Sequence, residues 1–311
     1  NCYHVVILAN TASTTTLMDG VSIISGNANA AALVPSITVN TFSINPRFGG
    51  GMYKVSSAAD ITDCKFRRND ASLSGAGIYE TLSSSASVYT NCSVVQNVCA
   101  DDGGGIYILT SSCLYQTCSF TTNDAADKGA GIYISGTGSP AFTDCTISSN
   151  DAVGEGGAAY LTGSGSPTFT GCTINSNTAV SNGGAVACYV SGTAGITATI
   201  ISGNTSSSTG GGLYNNNSPV ALTNCLISGN LASGGGGIWN ALSDATIINC
   251  TIAGNRATAQ GGGIANGTST PTIQNCIVYG NTGVPVGTNT FYNSGSTPVV
   301  DYSLIEGGYA G

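Results

Sequence analysis

A repeat of 25–28 residues runs through this chain, and few folds accommodate one of that length. A glycine cluster, an apolar residue and usually an aromatic recur with that period, placing Tyr53, Tyr79, Tyr107, Tyr133, Tyr160, Ala187, Tyr214, Trp239 and Ala265 at equivalent positions. A second signature, Cys-x-apolar-x-x-Asn, keeps the same beat. Cys64, Cys92, Cys118, Cys145, Cys172, Cys225, Cys250 and Cys276 are followed five residues later by Asn69, Asn97, Asn123, Asn150, Asn177, Asn230, Asn255 and Asn281. Thr199 with Asn204 fills the gap. Ser22 with Asn27 and Asn40 with Asn45 extend the register backwards, and Ser303 with Gly308 extends it forwards. The chain therefore reads as one array of about twelve units, with N-terminal coils or a cap over 1–48, regular repeats over 49–281 and a C-terminal coil over 282–311.

Each unit carries three short β-like segments, for example 156–161, 167–170 and 172–176, separated by Gly, Ser, Asn and Pro. None reads as a helix. Cys172 and Ile174 lie two apart, as inward positions of a strand must, while Phe169 is three before Cys172 and implies a bend near Thr170 and Gly171. Three strands and three turns in such a unit match one coil of a solenoid whose strands pair in parallel with their copies in the next coil. A propeller blade needs about forty residues. The expected fold is all-β, a right-handed parallel β-helix forming a single domain. The asparagines after the Cys segments then stack at a turn, where Asn tolerates left-handed backbone and its amide bonds along the column. The glycines mark a corner where a Cβ would clash.

Composition narrows the function. Seven Lys and Arg against fifteen Asp and Glu leave a net charge of -8, which argues against nucleic acid as a partner. No apolar run is long enough to span a membrane. The single histidine, His4, removes Ser-His-Asp and Cys-His chemistry and reads as structural. Zinc is not expected, because no cysteine pair has C-x-x-C spacing. The periodic cysteines read as buried free thiols at positions where Ile or Val would serve equally. Cys2, Cys99, Cys113 and Cys188 fall outside the register, and a bridge from Cys113 to Cys99 or Cys118 stays open.

Two sets of surface residues are candidates for contact or chemistry. If Ile132 and Ile134 point inward, Tyr133 points outward, and so do Tyr53, Tyr79, Tyr107, Tyr160, Tyr214, Trp239 and Tyr292, a column that either stabilises the sheet or faces a partner. Asp124 and Asp151 follow the turn asparagines in adjacent coils, with Asp70 two coils earlier than Asp124, and make a weak calcium candidate. No other cofactor is expected. Asp102, Lys128 and Glu155 share one position in consecutive coils and read as a solvated salt-bridge ladder. A threonine face for ice is interrupted, since Ile200 and Leu226 break the column of Thr146, Thr173 and Thr251. Asn-x-Ser/Thr triplets at Asn91, Asn204, Asn216, Asn249 and Asn266 are frequent by composition alone.

With these residues in view, the whole chain resembles bacterial extracellular right-handed parallel β-helix repeat proteins of the choice-of-anchor Q type. Tyr3, His4, Val5 and Val6, the Asp19-Gly20-Val21 turn and the glycines before Tyr53 are similar to the family's first coils. The segment 166–174 is similar to its middle, and Asn281-Thr282-Gly283 with 296–308 to its end. More distantly, the repeat resembles polymorphic outer-membrane adhesins. The resemblance implies export beyond the cell or to its surface and no assigned enzymatic residues. The expectation is a non-enzymatic structural or adhesive protein that acts by contact, with its own copies as partners in a head-to-tail filament. The alternatives are a polysaccharide-active lyase or glycoside hydrolase, or a monomeric adhesin for extracellular glycans.

Overall fold

The computed structural model describes residues 3–10, 17–31, 34–82, 87–284 and 290–307. Among them there are strands and turns and no helix. Three sheets of eleven parallel strands run along the molecule, and a fourth has nine strands of two residues each. One coil visits them in turn: Ile132–Ser135 in the first sheet, Ala141–Thr143 in the second, Thr146–Ser148 in the third and Asp151–Ala152 in the fourth. Register is kept from coil to coil, as in Ile106↔Ile132↔Ala159. This is the expected β-solenoid with an added dipeptide strand, and eleven rungs give a rod on the order of 50 Å long.

The missing twelfth unit has a specific cause. Val6 pairs directly with Met52, and Ser22 with Lys65, so the first coil stacks on the one that begins after residue 48. Between them Ile37–Val39 and Phe42–Ile44 form an antiparallel hairpin. Asn40 and Thr41 turn it with φ of 46° and 72°, the two left-handed residues of a tight hairpin turn. Asn40 and Asn45 thus mimic the five-residue spacing of the array without belonging to it. Cys2 and Gly308 lie outside the described residues.

The three-residue strands of the second and third sheets turn their central residue into the lumen, as the burial of Ile147, Ile174 and Ile201 shows. Each such isoleucine contributes about 2 kcal/mol of burial. Corners are made by single left-handed residues. Thr122, Ser149 and Ser176 have φ of 53–56°, so the residue before each turn asparagine, and not the asparagine itself, adopts the left-handed backbone expected at that turn. The glycine clusters behave as expected: Gly103 has a φ of 71°, and a Cβ on Gly104 would lie 2.3 Å from the Asp124 carbonyl oxygen.

Candidate functional site

The asparagine column is the mechanical spine. Asn69, Asn97, Asn123, Asn150, Asn177, Asn204, Asn230, Asn255 and Asn281 are all buried. Each amide oxygen from Asn97 onward accepts two bonds from the asparagine one coil earlier. For Asn150 these come from the backbone N–H and Nδ2 of Asn123, at 2.9 and 3.0 Å. Its own Nδ2 donates to the Phe120 carbonyl at 3.0 Å and to Asn177 Oδ1 at 2.9 Å. Asn204 and Asn266 are fully buried in such ladders, which removes two of the five glycosylation triplets.

The cysteines form a second spine. All eleven described cysteines are buried thiols without disulfides, so Cys113 is bridged to neither Cys99 nor Cys118. Packing alone does not explain the periodic ones. The Cys225 N–H points at Cys250 Sγ at 3.4 Å, and that thiol donates to the Ile248 carbonyl at 3.2 Å. Where cysteine is absent a hydroxyl takes its place: Cys172 N–H donates to Thr199 Oγ1 at 3.2 Å, and Cys276 N–H to Ser303 Oγ at 3.0 Å. Valine would therefore not serve equally. Cys250→Val should lower stability by about 1–2 kcal/mol by orphaning the Cys225 N–H, whereas Cys250→Thr should stay near wild type in urea unfolding.

The tyrosine column is external and half closed. Tyr53, Tyr79, Tyr107, Tyr133 and Tyr160 stack with centroid spacings of 4.9, 5.2, 4.6 and 5.2 Å. Tyr189 steps in where Ala187 interrupts, 5.3 Å from Tyr160 and 5.8 Å from Tyr214. Trp239 and Tyr292 continue the position as half-buried side chains. Tyr53, Tyr79, Tyr160 and Tyr214 keep only 6–9% of their surface exposed. Ring faces are covered by the next ring, and the column offers edges and hydroxyls. Burial above all pushes the Tyr79, Tyr107, Tyr133 and Tyr160 phenols well above their ordinary range. They are donors at any neutral pH.

Beside this column lies an acidic trio that the sequence did not single out as a group. Asp101, Asp102 and Asp127 bring carboxylate oxygens within 4.8 Å of one another. Asp102 accepts the Lys128 backbone N–H at 3.0 Å. The Lys128 ammonium lies 3.3 Å from Asp127 and 5.5 Å from the Tyr160 ring centroid. Glu155 accepts instead from Asn182 and Tyr189, each at 2.7 Å. The expected Asp102, Lys128, Glu155 salt-bridge ladder is thus replaced by one pair within a turn, because Asp127 is nearer to Lys128. Burial, then the charge of Asp101, pushes the Asp102 carboxyl up to about 6 from 3.8. The folded state then binds the proton more tightly than the unfolded chain. Stability contributed by the protonated form is present below about 4 and lost as pH rises to about 6, and Asp102→Asn should remove that slope in thermal unfolding followed across this window.

Asp124 and Asp151 lie side by side in the fourth sheet, exposed, with Val98 between Asp70 and Asp124 in register. Burial and then Asp151 raise the Asp124 carboxyl. The acidic trio is elsewhere, around the turn that leads into the first sheet. His4 is buried, its Nδ1 lies 3.0 Å from the Gly49 carbonyl and its ring stands edge-on to Tyr53, as a structural histidine would.

A second cluster lies inside the lumen and was also missed. Lys54 and Glu80 follow two outward tyrosines in register, so both point inward, and both are fully buried. The Lys54 Nζ is 3.6 Å from Glu80 Oε2 and donates to Ser87 Oγ at 2.7 Å. Glu80 Oε2 accepts from the Tyr89 and Tyr115 hydroxyls at 2.5 and 3.1 Å, and Oε1 from the Cys113 thiol at 2.6 Å. Toward the other end the same inward position carries Asn215, Asn240, Asn266 and Asn293, linked amide to amide at 2.8, 2.8 and 2.9 Å.

Parallel sheets wound around one lumen, with a column of buried asparagines bonded from coil to coil, define a β-solenoid. The family described as the right-handed β-helix region matches residues 97–240 and, overlapping, 185–311, and the chain belongs to that family. No curated protein and no solved structure was found to match it.

Proposed function

We propose that this chain is a non-enzymatic structural protein of the cell surface or extracellular space that acts by contact, as a stiff rod. The observation that carries this reading is where its periodic side chains are spent. The asparagine amides, the thiols and the tyrosine faces bond or stack to their own copies one rung away. That suits load along the axis better than selective capture of a small ligand. Stacked ring faces also leave little platform for a sugar, which weighs against the glycan adhesin and for the rod. Head-to-tail joining of such rods into filaments is part of the same proposal. The relation to choice-of-anchor Q proteins belongs to the same proposal. Electron microscopy of native material tests it: filaments with an axial repeat of one solenoid are expected, and monodisperse short rods at high concentration would sink it.

A polysaccharide-active enzyme is the second reading, and one observation favours it. Asp102, whose carboxyl burial above all raises, sits within a cluster of three carboxyl groups, and a raised carboxyl is what general acid chemistry uses. Release of reducing sugars from acidic polysaccharides, abolished in Asp102→Asn, would establish it.

A further inference from the structure

The lumen cluster is more than an ion pair. A lysine and a glutamate without solvent contact lose most of their hydration, and their attraction only partly offsets that loss. Condensation of such a pair removes both charges from the dry lumen, because the amide it forms carries none. These two groups sit on adjacent rungs of the first sheet, at directly paired positions. The Nζ lies 3.6 Å from one carboxyl oxygen, so the two groups are held against each other as an intramolecular reaction requires. The carboxyl also has what an acyl acceptor needs. Two phenol hydroxyls donate to Oε2 and a thiol to Oε1, so charge developing on oxygen during attack is met by donors already in place. Burial above all holds both phenols far above their ordinary range, and they remain protonated. The sequence follows the same logic. Tyrosine occupies the inward position of the second sheet at residues 89 and 115, beside Glu80, and phenylalanine takes over at 142 and 169.

We propose that Lys54 and Glu80 condense to an intramolecular isopeptide bond, a covalent strut between neighbouring coils. The Lys54 nitrogen forms a bond to Glu80 Cδ, and the Cδ–Oε1 bond breaks. Oε1 departs as water with two of the three protons that the pair holds, one of them relayed by the Cys113 thiol that touches both Oε1 and Nζ. No oxidant, metal or nucleotide enters the balance. Tyr89 and Tyr115 stabilise the oxyanion through Oε2, and Ser87 holds the amine in place. The strut ties the coil of Tyr53 to the coil of Tyr79, next to the hairpin insertion.

The test is the intact mass of the folded protein, followed by tryptic mapping. The folded protein should be one water lighter than its sequence. Trypsin should fail to cut after Lys54, and the peptide containing that residue should be recovered joined to the one containing Glu80. Wild-type protein at full sequence mass would overturn the proposal without any variant. So would loss of water mapped to another site, such as a cyclised aspartate. Lys54→Met should restore the full mass. Tyr89→Phe with Tyr115→Phe keeps the packing volume and should slow bond formation after refolding by tenfold or more; an unchanged rate would overturn the role given to the hydroxyls.

Discussion

Asn150→Ala is expected to be among the most damaging single substitutions in the rod, lowering stability by about 3–6 kcal/mol. The reasoning is an inventory of what the change leaves behind. Four hydrogen bonds disappear, two accepted from Asn123 and two donated to Phe120 and Asn177. The Asn123 N–H and the Phe120 carbonyl are backbone groups in a dry corner, and each unsatisfied buried group costs about 1–3 kcal/mol. Alanine supplies neither donor nor acceptor, and the tight corner leaves little room for water. Asn150→Asp should be nearly as harmful, since an ionised carboxylate keeps the acceptor but cannot donate to Phe120. Asn175→Ala is the internal control: that side chain lies on the outer face of the third sheet, half exposed, and its loss should be near neutral. Urea unfolding followed by circular dichroism checks the series. A loss below about 1 kcal/mol at Asn150 would mean that the ladder records register without holding it.

The ladder was legible because a solenoid repeats each residue's surroundings once per turn, so local spacing and tertiary contact carry the same information. Cys145 and Asn150 announce both their own corner and their neighbours. Asn40 and Asn45 misled for the same reason: they reproduce the spacing, but the chain between them reverses through two left-handed residues and pairs with itself. Lys54 and Glu80 were also within reach, since alternation along a strand puts the residue after an outward tyrosine inside. They escaped because charged residues are read as surface by default. Asn215, Asn240, Asn266 and Asn293 occupy the same inward position, and their ladder hides in a chain where polar amides are common. Asp101 and Asp127 lie in a turn, where register comes from backbone bonds such as Asp127 N–H to the Asp101 carbonyl and not from any pattern of side chains. The acidic trio therefore needed coordinates.

Phe142→Ala should cost about 3–5 kcal/mol, comparable to the asparagine but for an unrelated reason. Its ring lies between Tyr115 and Phe169 at 4.7 and 4.9 Å and meets the edge of Phe120 at 5.9 Å. Parallel ladders on every side fix the backbone, so neighbouring rungs cannot slide together to fill the space, and the cavity persists. Tyr133→Ala, on the outer column of the same coil, should cost about 1–2 kcal/mol because solvent can replace part of what the ring covered. Phe142→Leu should fall near the same value, since it retains most of the buried volume. The consequence for cooperativity is more informative than the magnitude. Stability in a one-dimensional array is carried by interfaces between neighbours, so a weak interface divides the rod into two folding units. Trp239, the single tryptophan, stands four rungs beyond the coil of Phe142 in register and reports the C-terminal side. Its fluorescence should follow the wild-type transition measured by circular dichroism and separate from it in Phe142→Ala, with the N-terminal coils melting at lower urea. Coincident transitions in the variant would show that the asparagine and thiol spines alone keep the rod a single cooperative unit.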